Sequence, residues 1–207
     1  SPRHWPTVKW ITPACRPSVS PVCAWTMGPG VPPAGSDSPG AWLLIGDNAR
    51  ARQAAAREAR RRRYGTRVSR YRLRGEASVA ADQVLAELAI QPESVSCVVF
   101  GGETTVAVGE ASGSGGRSQE LALAAAPGLS EGRWVLLAAG TDGVDGVSGA
   151  AGGVVGPGTL PFLGSHAVAA GLRSHDSATV LAKAGGLLVT GPTGTNVGDL
   201  VVAVRSP

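Results

Sequence analysis

Three clusters of glycine, hydroxyl and acidic residues lie between Gly101 and Asp199: Gly113-Ser-Gly-Gly-Arg-Ser-Gln-Glu120, Gly140-Thr-Asp-Gly-Val-Asp-Gly146 and Thr190-Gly-Pro-Thr-Gly-Thr-Asn-Val-Gly-Asp199. These residue types suit phosphate chemistry. Glycine lets backbone N–H groups turn toward an anion, hydroxyls add donors, and neighbouring carboxylates can hold the divalent cation that travels with nucleotide phosphates.

In the first cluster Gly113, Ser114, Gly115 and Gly116 open a helix, so its free N–H groups and positive dipole end face whatever precedes Ser118. Arg117 adds a permanent charge and a fork that can grip two oxygens. The plainer reading is a flexible loop with an ordinary helix cap at Ser118. In the second cluster Asp142 and Asp145 could share one Mg²⁺, directly or through waters, while a substrate phosphate completes the shell. The competing reading is a pair of Asp-Gly turns. Glu103 divides the same way, between general base or metal ligand and turn residue. Thr193, Gly194, Thr195 and Asn196 could surround an anion, or form an exposed turn. His175, Asp176 and Ser177 cannot make a hydrolytic triad from adjacent positions, and no Gly-x-Ser-x-Gly elbow is present; Asp176 or Ser177 as a helix cap is the stronger reading. A Walker pattern is absent. The spacing Gly113-x-Gly115-x-x-Ser118 approaches a dinucleotide fingerprint, but it follows an expected hairpin strand, which argues against a nicotinamide site.

The elements that must position these clusters alternate between the two periodicities. A strand is expected over 42–45, then a helix capped by Asp47 or Asn48, running to about Tyr64 and closed by Gly65. A strand over 66–73 and an amphipathic helix over 76–88, with Val79, Val84, Leu85 and Leu88 on its apolar side, complete a β-α-β-α unit. Next come a strand over 96–100, a turn at Gly101-Gly102-Glu103 into a second strand over 104–108, and a helix over 118–126. A strand over 133–138 delivers the second cluster at its carboxyl end, where open α/β sheets place ligands. Helices over 162–170 and 176–183 and strands over 186–190 and 200–204 close the chain.

Composition separates residues 1–41 from the rest, since nine of the fifteen prolines, three of the five tryptophans and two of the three cysteines fall there. That segment is expected to be disordered or foreign to the domain. Beyond it the Ala, Gly, Val and Leu content indicates an α/β protein with strands covered on both faces. Cys15, Cys23 and Cys97 lack metal or redox spacing, and neither a signal peptide nor an apolar run of about 18 residues is present. A cytoplasmic protein without a membrane partner is expected. Eleven of the nineteen basic residues lie between Arg50 and Arg74, with Glu58 the only acid among them. Without interleaved stacking aromatics beyond Tyr64 and Tyr71, this run reads as a solvated helix face rather than a nucleic-acid surface.

Read in order, Gly101-Gly-Glu-Thr-Thr-Val106, Gly115-Gly-Arg-Ser-Gln-Glu-Leu-Ala-Leu-Ala124, the whole second cluster, Ala150-Ala-Gly152, Asp176-Ser177 and Thr190-Gly-Pro-Thr-Gly-Thr-Asn-Val197 resemble the C-terminal half of glycerate kinases of the MOFRL-domain type. Ile45-Gly-Asp-Asn48 and Gly75-Glu-Ala77 are similar to the end of that family's N-terminal domain. The resemblance implies a MOFRL-type α/β domain over 93–207, preceded over 42–92 by the tail of a Rossmann-like N-terminal domain. It implies transfer of the ATP γ-phosphoryl group to the 2-hydroxyl of D-glycerate with Mg²⁺, in a cleft between two α/β domains. Arg117 and Glu103 would be catalytic, with Arg117 stabilising charge on the transferring group. Gly113, Ser114, Gly115, Gly116, Thr141, Asp176, Thr193, Gly194, Thr195 and Asn196 would bind nucleotide or substrate, and Asp142 and Asp145 the metal. A homo-oligomer is compatible with this picture. The family has Asn where His175 stands and a lysine in its N-terminal domain that no residue in the matching stretches supplies. The expectation is therefore a truncated kinase-like chain, inactive alone, with a non-catalytic nucleotide- or anion-binding remnant as the alternative.

Overall fold

The computed structural model describes residues 46–108 and 113–205. The strand expected over 42–45 and the segment 1–41 lie outside the described residues. Six strands form one sheet in the order β1-β2-β6-β3-β4-β5, with helices on both faces.

Helix α1 (Asn48–Arg61) starts at Asp47, whose carboxylate accepts the Arg50 N–H at 2.7 Å. It lays Ala55, Ala56 and Ala59 on Cys97 and Val99, which leaves Arg57, Arg60 and Arg61 in solvent as expected of a charged outer face. The helix does not run to Tyr64. Arg63, at φ 66, takes the left-handed position that ends it. Gly65 is small for another reason: a Cβ there would fall 1.9 Å from the Ser94 carbonyl oxygen.

Strand β1 (Thr66–Glu76) is an edge strand, three residues longer than expected, and feeds directly into α2 (Ala77–Ala89). Its outward arginines suit an edge that must not pair further. The buried face of α2 is Ala77, Ala80, Ala81, Val84 and Leu88, whereas Val79 is 52% exposed. Alanines carry that face because α2 packs closely on both β1 and α3 (Arg117–Leu129).

The turn expected at Gly101-Gly102-Glu103 does not exist. Strand β2 (Cys97–Thr105) runs through it without interruption and pairs in parallel with β1. The two glycines answer to close approach instead: a Cβ on Gly101 would lie 2.4 Å from Asn48 Oδ1, and one on Gly102 2.0 Å from the Leu73 carbonyl oxygen. Because β2 and β3 (Trp134–Gly140) both run antiparallel to the intervening β6 (Asp199–Arg205), β2-α3-β3 is a crossover. The first glycine cluster therefore does open a β-α-β unit, and the expected hairpin is corrected.

Strand β4 (Gly152–Val155), which periodicity missed, pairs with β3, and β5 (Leu187–Leu188) pairs with β4. The helix expected over 162–170 divides at Gly164 (φ 80) into α4 (Thr159–Leu163) and α5 (Ser165–Arg173), followed by α6 (Ser177–Lys183). Phe100, Leu121, Leu123, Leu136, Leu181 and Val201 form the centre of the main core, each worth about 1.5–3 kcal/mol on burial. Residues of α2 and β1 share that core with β2 and α3, so packing is continuous across positions 92 and 93. Among the described residues no helix is long and apolar enough to cross a membrane.

Candidate functional site

The carboxyl ends of β2 and β3, the start of β6 and the start of α3 converge on one edge of the sheet. Asp199, the first residue of β6, lies directly between Gly102 of β2 and Gly140 of β3. Its carboxylate accepts two bonds from Arg117, the first residue of α3: Nε donates to Oδ2 at 2.7 Å and Nη2 to Oδ1 at 2.8 Å. The Asp199 side chain is 8% exposed and that of Arg117 33%. This parallel fork holds the guanidinium in one plane. Hydrogen bonding to Asp199 raises the Arg117 pKa above its ordinary value despite burial, and the charges of Asp145 and Glu103 act the same way. Burial pushes the Asp199 carboxyl up, while the Arg117 fork and the Thr104 backbone N–H pull it down.

Asp145 is buried at the other side of the α3 start. It accepts the backbone N–H groups of Ser118 at 3.1 Å and Gln119 at 2.8 Å, and so caps α3 from 26 and 27 residues away. The cap residue by chain position is Gly116, with Ser118 inside the helix. Burial also pushes the Asp145 carboxyl up, against those two donors.

Asp142 faces the third cluster. Its Oδ1 accepts the Val144 N–H at 3.1 Å and its Oδ2 lies 3.5 Å from Asn196 Nδ2. Thr141 Oγ1 donates to the Gly198 carbonyl at 2.7 Å and accepts the Val197 N–H at 2.8 Å. Thr193 Oγ1 donates to the Thr141 carbonyl, and the Thr193 N–H donates to that of Asp142 at 3.0 Å. Thr195 and Gly194 (φ 76) occupy the exposed tip of this loop. The second and third clusters are thus stitched together chiefly through Thr141 and Asp142.

The first cluster packs tightly on protein. Cβ atoms on Gly113 and Gly116 would fall 2.2 Å from the Ser174 carbonyl oxygen and 2.4 Å from the Asp145 carbonyl carbon. Asp176 Oδ1 accepts the Ser114 N–H at 3.0 Å, and the Ser114 carbonyl accepts the Ala178 N–H at 2.9 Å. The N–H groups of Gly115 and Gly116 have no acceptor among the described residues. Beside them His175 Nδ1 lies 2.8 Å from Glu120 Oε2. His175 has φ 51, a conformation that Asn and His tolerate better than most residues.

The structure therefore brings Arg117, Gly115, Gly116 and the Asp142 loop to one edge, and Glu103 is exposed at the end of β2, close enough for its charge to act on Arg117 and Asp199. Asp142 and Asp145 take different partners. Asp145 is committed to two N–H groups, and among the described residues no three His, Cys, Asp or Glu side chains are grouped to hold a metal ion. Of the carboxylates at this edge Asp142 and Glu103 are the more accessible, while Asp145 and Asp199 are buried.

Sequence reading missed Asp199, Asn48 and Gln119 as organisers. Asn48 Nδ2 donates to the Val197 and Asp199 carbonyls, both at 2.9 Å, and ties α1 to the third cluster. Gln119 Nε2 donates to the Asp145 carbonyl at 3.0 Å and to Ser148 Oγ at 2.6 Å. The one available signal for Asp199 was an acid placed immediately before an apolar strand.

Residues 96–199 match the family model described as the MOFRL family. The chain is 40% identical over 170 residues to a glycerate 2-kinase of Pyrococcus horikoshii, which covers 78% of this chain and 39% of that protein. It is 43% identical over 113 residues to a D-glycerate 2-kinase of Thermotoga maritima, covering 53% and 27% respectively. The crystal structure of a glycerate kinase from Thermotoga maritima superposes with a TM-score of 0.72 at 36% identity, over 79% of this chain and 42% of that one. The chain spans about two fifths or less of the length of these relatives.

Proposed function

The chain belongs to the MOFRL family, and on that premise we propose that it carries one wall of a glycerate-kinase site, which transfers the ATP γ-phosphoryl group to the 2-hydroxyl of D-glycerate. The observation that carries this reading is the start of α3. There the N–H groups of Gly115 and Gly116, without an acceptor among the described residues, the positive end of the helix and the oriented Arg117 guanidinium meet on one edge of the sheet.

Phosphoryl transfer asks little covalent chemistry of a protein and depends on positioning and charge. Arg117 would meet the oxygens of the transferring group, and the loop of Thr193, Gly194, Thr195 and Asn196 would border the same space, with Thr141 and Asp176 holding the loops in place. Three carboxylates, Asp199, Asp145 and Glu103, act on the single guanidinium. A bare polyphosphate would meet net negative charge there, which supports entry of the nucleotide as its Mg²⁺ complex with Asp142 and Glu103 nearest the ion. When bound, Mg²⁺ supplies neutralisation of the charge on the phosphoryl oxygens. Glu103 is the exposed carboxylate available to accept the glycerate hydroxyl proton.

The deciding measurement is ATP-dependent formation of phosphoglycerate by this chain with Mg²⁺ present, with the product position read by NMR. Turnover to the 2-phosphate supports the reading. Nucleotide binding without turnover leaves the alternative, a non-catalytic nucleotide-binding protein that works with a partner chain.

A further inference from the structure

We infer that Asp199 is the positioning residue for Arg117: it fixes the guanidinium on a central strand of the sheet so that the remaining donors face the phosphate. The inference rests on the phosphoryl-transfer reading above. An arginine on the first residue of a helix, with a third of its side chain in solvent, would ordinarily sample many rotamers. Here Nε and Nη2 are both spent on Asp199, at 2.7 and 2.8 Å. Two of the five guanidinium donors are used in this way, and three, one on Nη2 and two on Nη1, are left for a ligand.

Asp199 itself is anchored from several sides. It begins the central strand β6, paired with Gly102 and Gly140, and its carbonyl accepts from Asn48 Nδ2 at 2.9 Å. The Thr104 N–H supports the carboxylate. Both cross-strand neighbours are glycines: a Cβ on Gly102 would fall 2.0 Å from the Leu73 carbonyl oxygen and one on Gly140 2.8 Å from Asp142 Oδ1, so neither position has room for a side chain. A group held this firmly orients the residue that touches the ligand more precisely than a loop could.

The test is calorimetric titration of the full 207-residue chain with MgATP, with Tm recorded for each variant. Arg117→Ala and Asp199→Asn should each weaken binding by about tenfold, as loss of a charge-assisted contact does. The double variant should bind no more weakly than Arg117→Ala alone, because Asp199 acts only through the guanidinium. Additive losses would overturn the inference in favour of a general structural role. Wild-type affinity in Asp199→Asn beside a weakened Arg117→Ala would overturn it while leaving the phosphoryl-transfer reading intact. Unchanged binding in Arg117→Ala, or no binding by the wild type, would overturn that reading and the inference with it. If Asp199→Asn does not fold, Arg117→Lys decides: it keeps the charge and loses the fork, so affinity equal to wild type would sink the proposal and a loss matching Arg117→Ala supports it.

Discussion

Asp145 and Gln119 grip each other twice: the Gln119 backbone N–H donates to the Asp145 carboxylate at 2.8 Å, and Gln119 Nε2 donates to the Asp145 carbonyl at 3.0 Å. A loop on the far side of β3 thereby supplies the cap that the chain before α3, all glycine at 115 and 116, cannot supply. The aspartate that chain spacing offers to a metal caps a helix end.

Replacement of Asp145 by Asn should therefore lower stability by about 1–3 kcal/mol, because an amide presents an N–H to one of two backbone donors and leaves it unsatisfied. Urea denaturation with and without Mg²⁺ measures this. A loss of the same size in both conditions fits the capping role, while a loss seen only with Mg²⁺ assigns Asp145 to the metal.

The same residue has a pH signature. Burial raises the folded-state pKa of Asp145 above its ordinary 3.8, so between that value and the raised one the folded chain binds more protons than the unfolded chain. Its contribution to stability then falls as pH rises through that window and is flat above it. The difference in Tm between wild type and Asp145→Asn, followed upward from pH 4, should shift in favour of the Asn variant and then level off. A difference that moves the other way would mean that the Ser118 and Gln119 N–H groups outweigh burial at this carboxyl.

Glycine substitutions should separate packing from backbone strain. Gly116 is extended at φ −154, yet a Cβ would strike the Asp145 backbone at 2.4 Å, whereas Gly149 has φ 70 and open space around it. Gly149→Ala should cost about 1–2 kcal/mol from the left-handed conformation alone. Gly116→Ala should cost more and also weaken MgATP binding, since the loop must move. Equal Tm losses in the two variants would mean that the loop has room to adjust.

Asn48→Ala removes two buried donors from the Val197 and Asp199 carbonyls. A stability loss of about 1–3 kcal/mol is expected, with faster amide exchange over 197–199 than in wild type. Unchanged exchange there would show that α1 does not hold the third cluster.

Much of the architecture was legible because periodicity reports burial. The helices α2 and α3 and the strands β3 and β6 come from apolar spacing that tertiary packing then uses. Glycine misled the reading wherever its role was absence of a side chain rather than freedom of the backbone. Gly101-Gly102 looked like a turn and is strand, because Asn48 and Leu73 approach too closely for a Cβ. Gly152-Gly153, where no strand was expected, belong to β4, and a Cβ there would meet Ala138 and Leu181. Val79 was placed on the apolar face of α2 by spacing alone, yet helix packing through Ala77, Ala80 and Ala81 left it in solvent.

By itself the sequence determined the family and the three clusters, since residue types and their order are properties of the chain. Only the tertiary structure decided which carboxylate meets which donor. Asp142 and Asp145 are three positions apart and face different partners, while Arg117 and Asp199 are 82 apart and form the fork. Hydrogen bonds act over about 3 Å, and in a sheet whose central strand comes last in the chain, that proximity is set by strand order rather than by sequence distance.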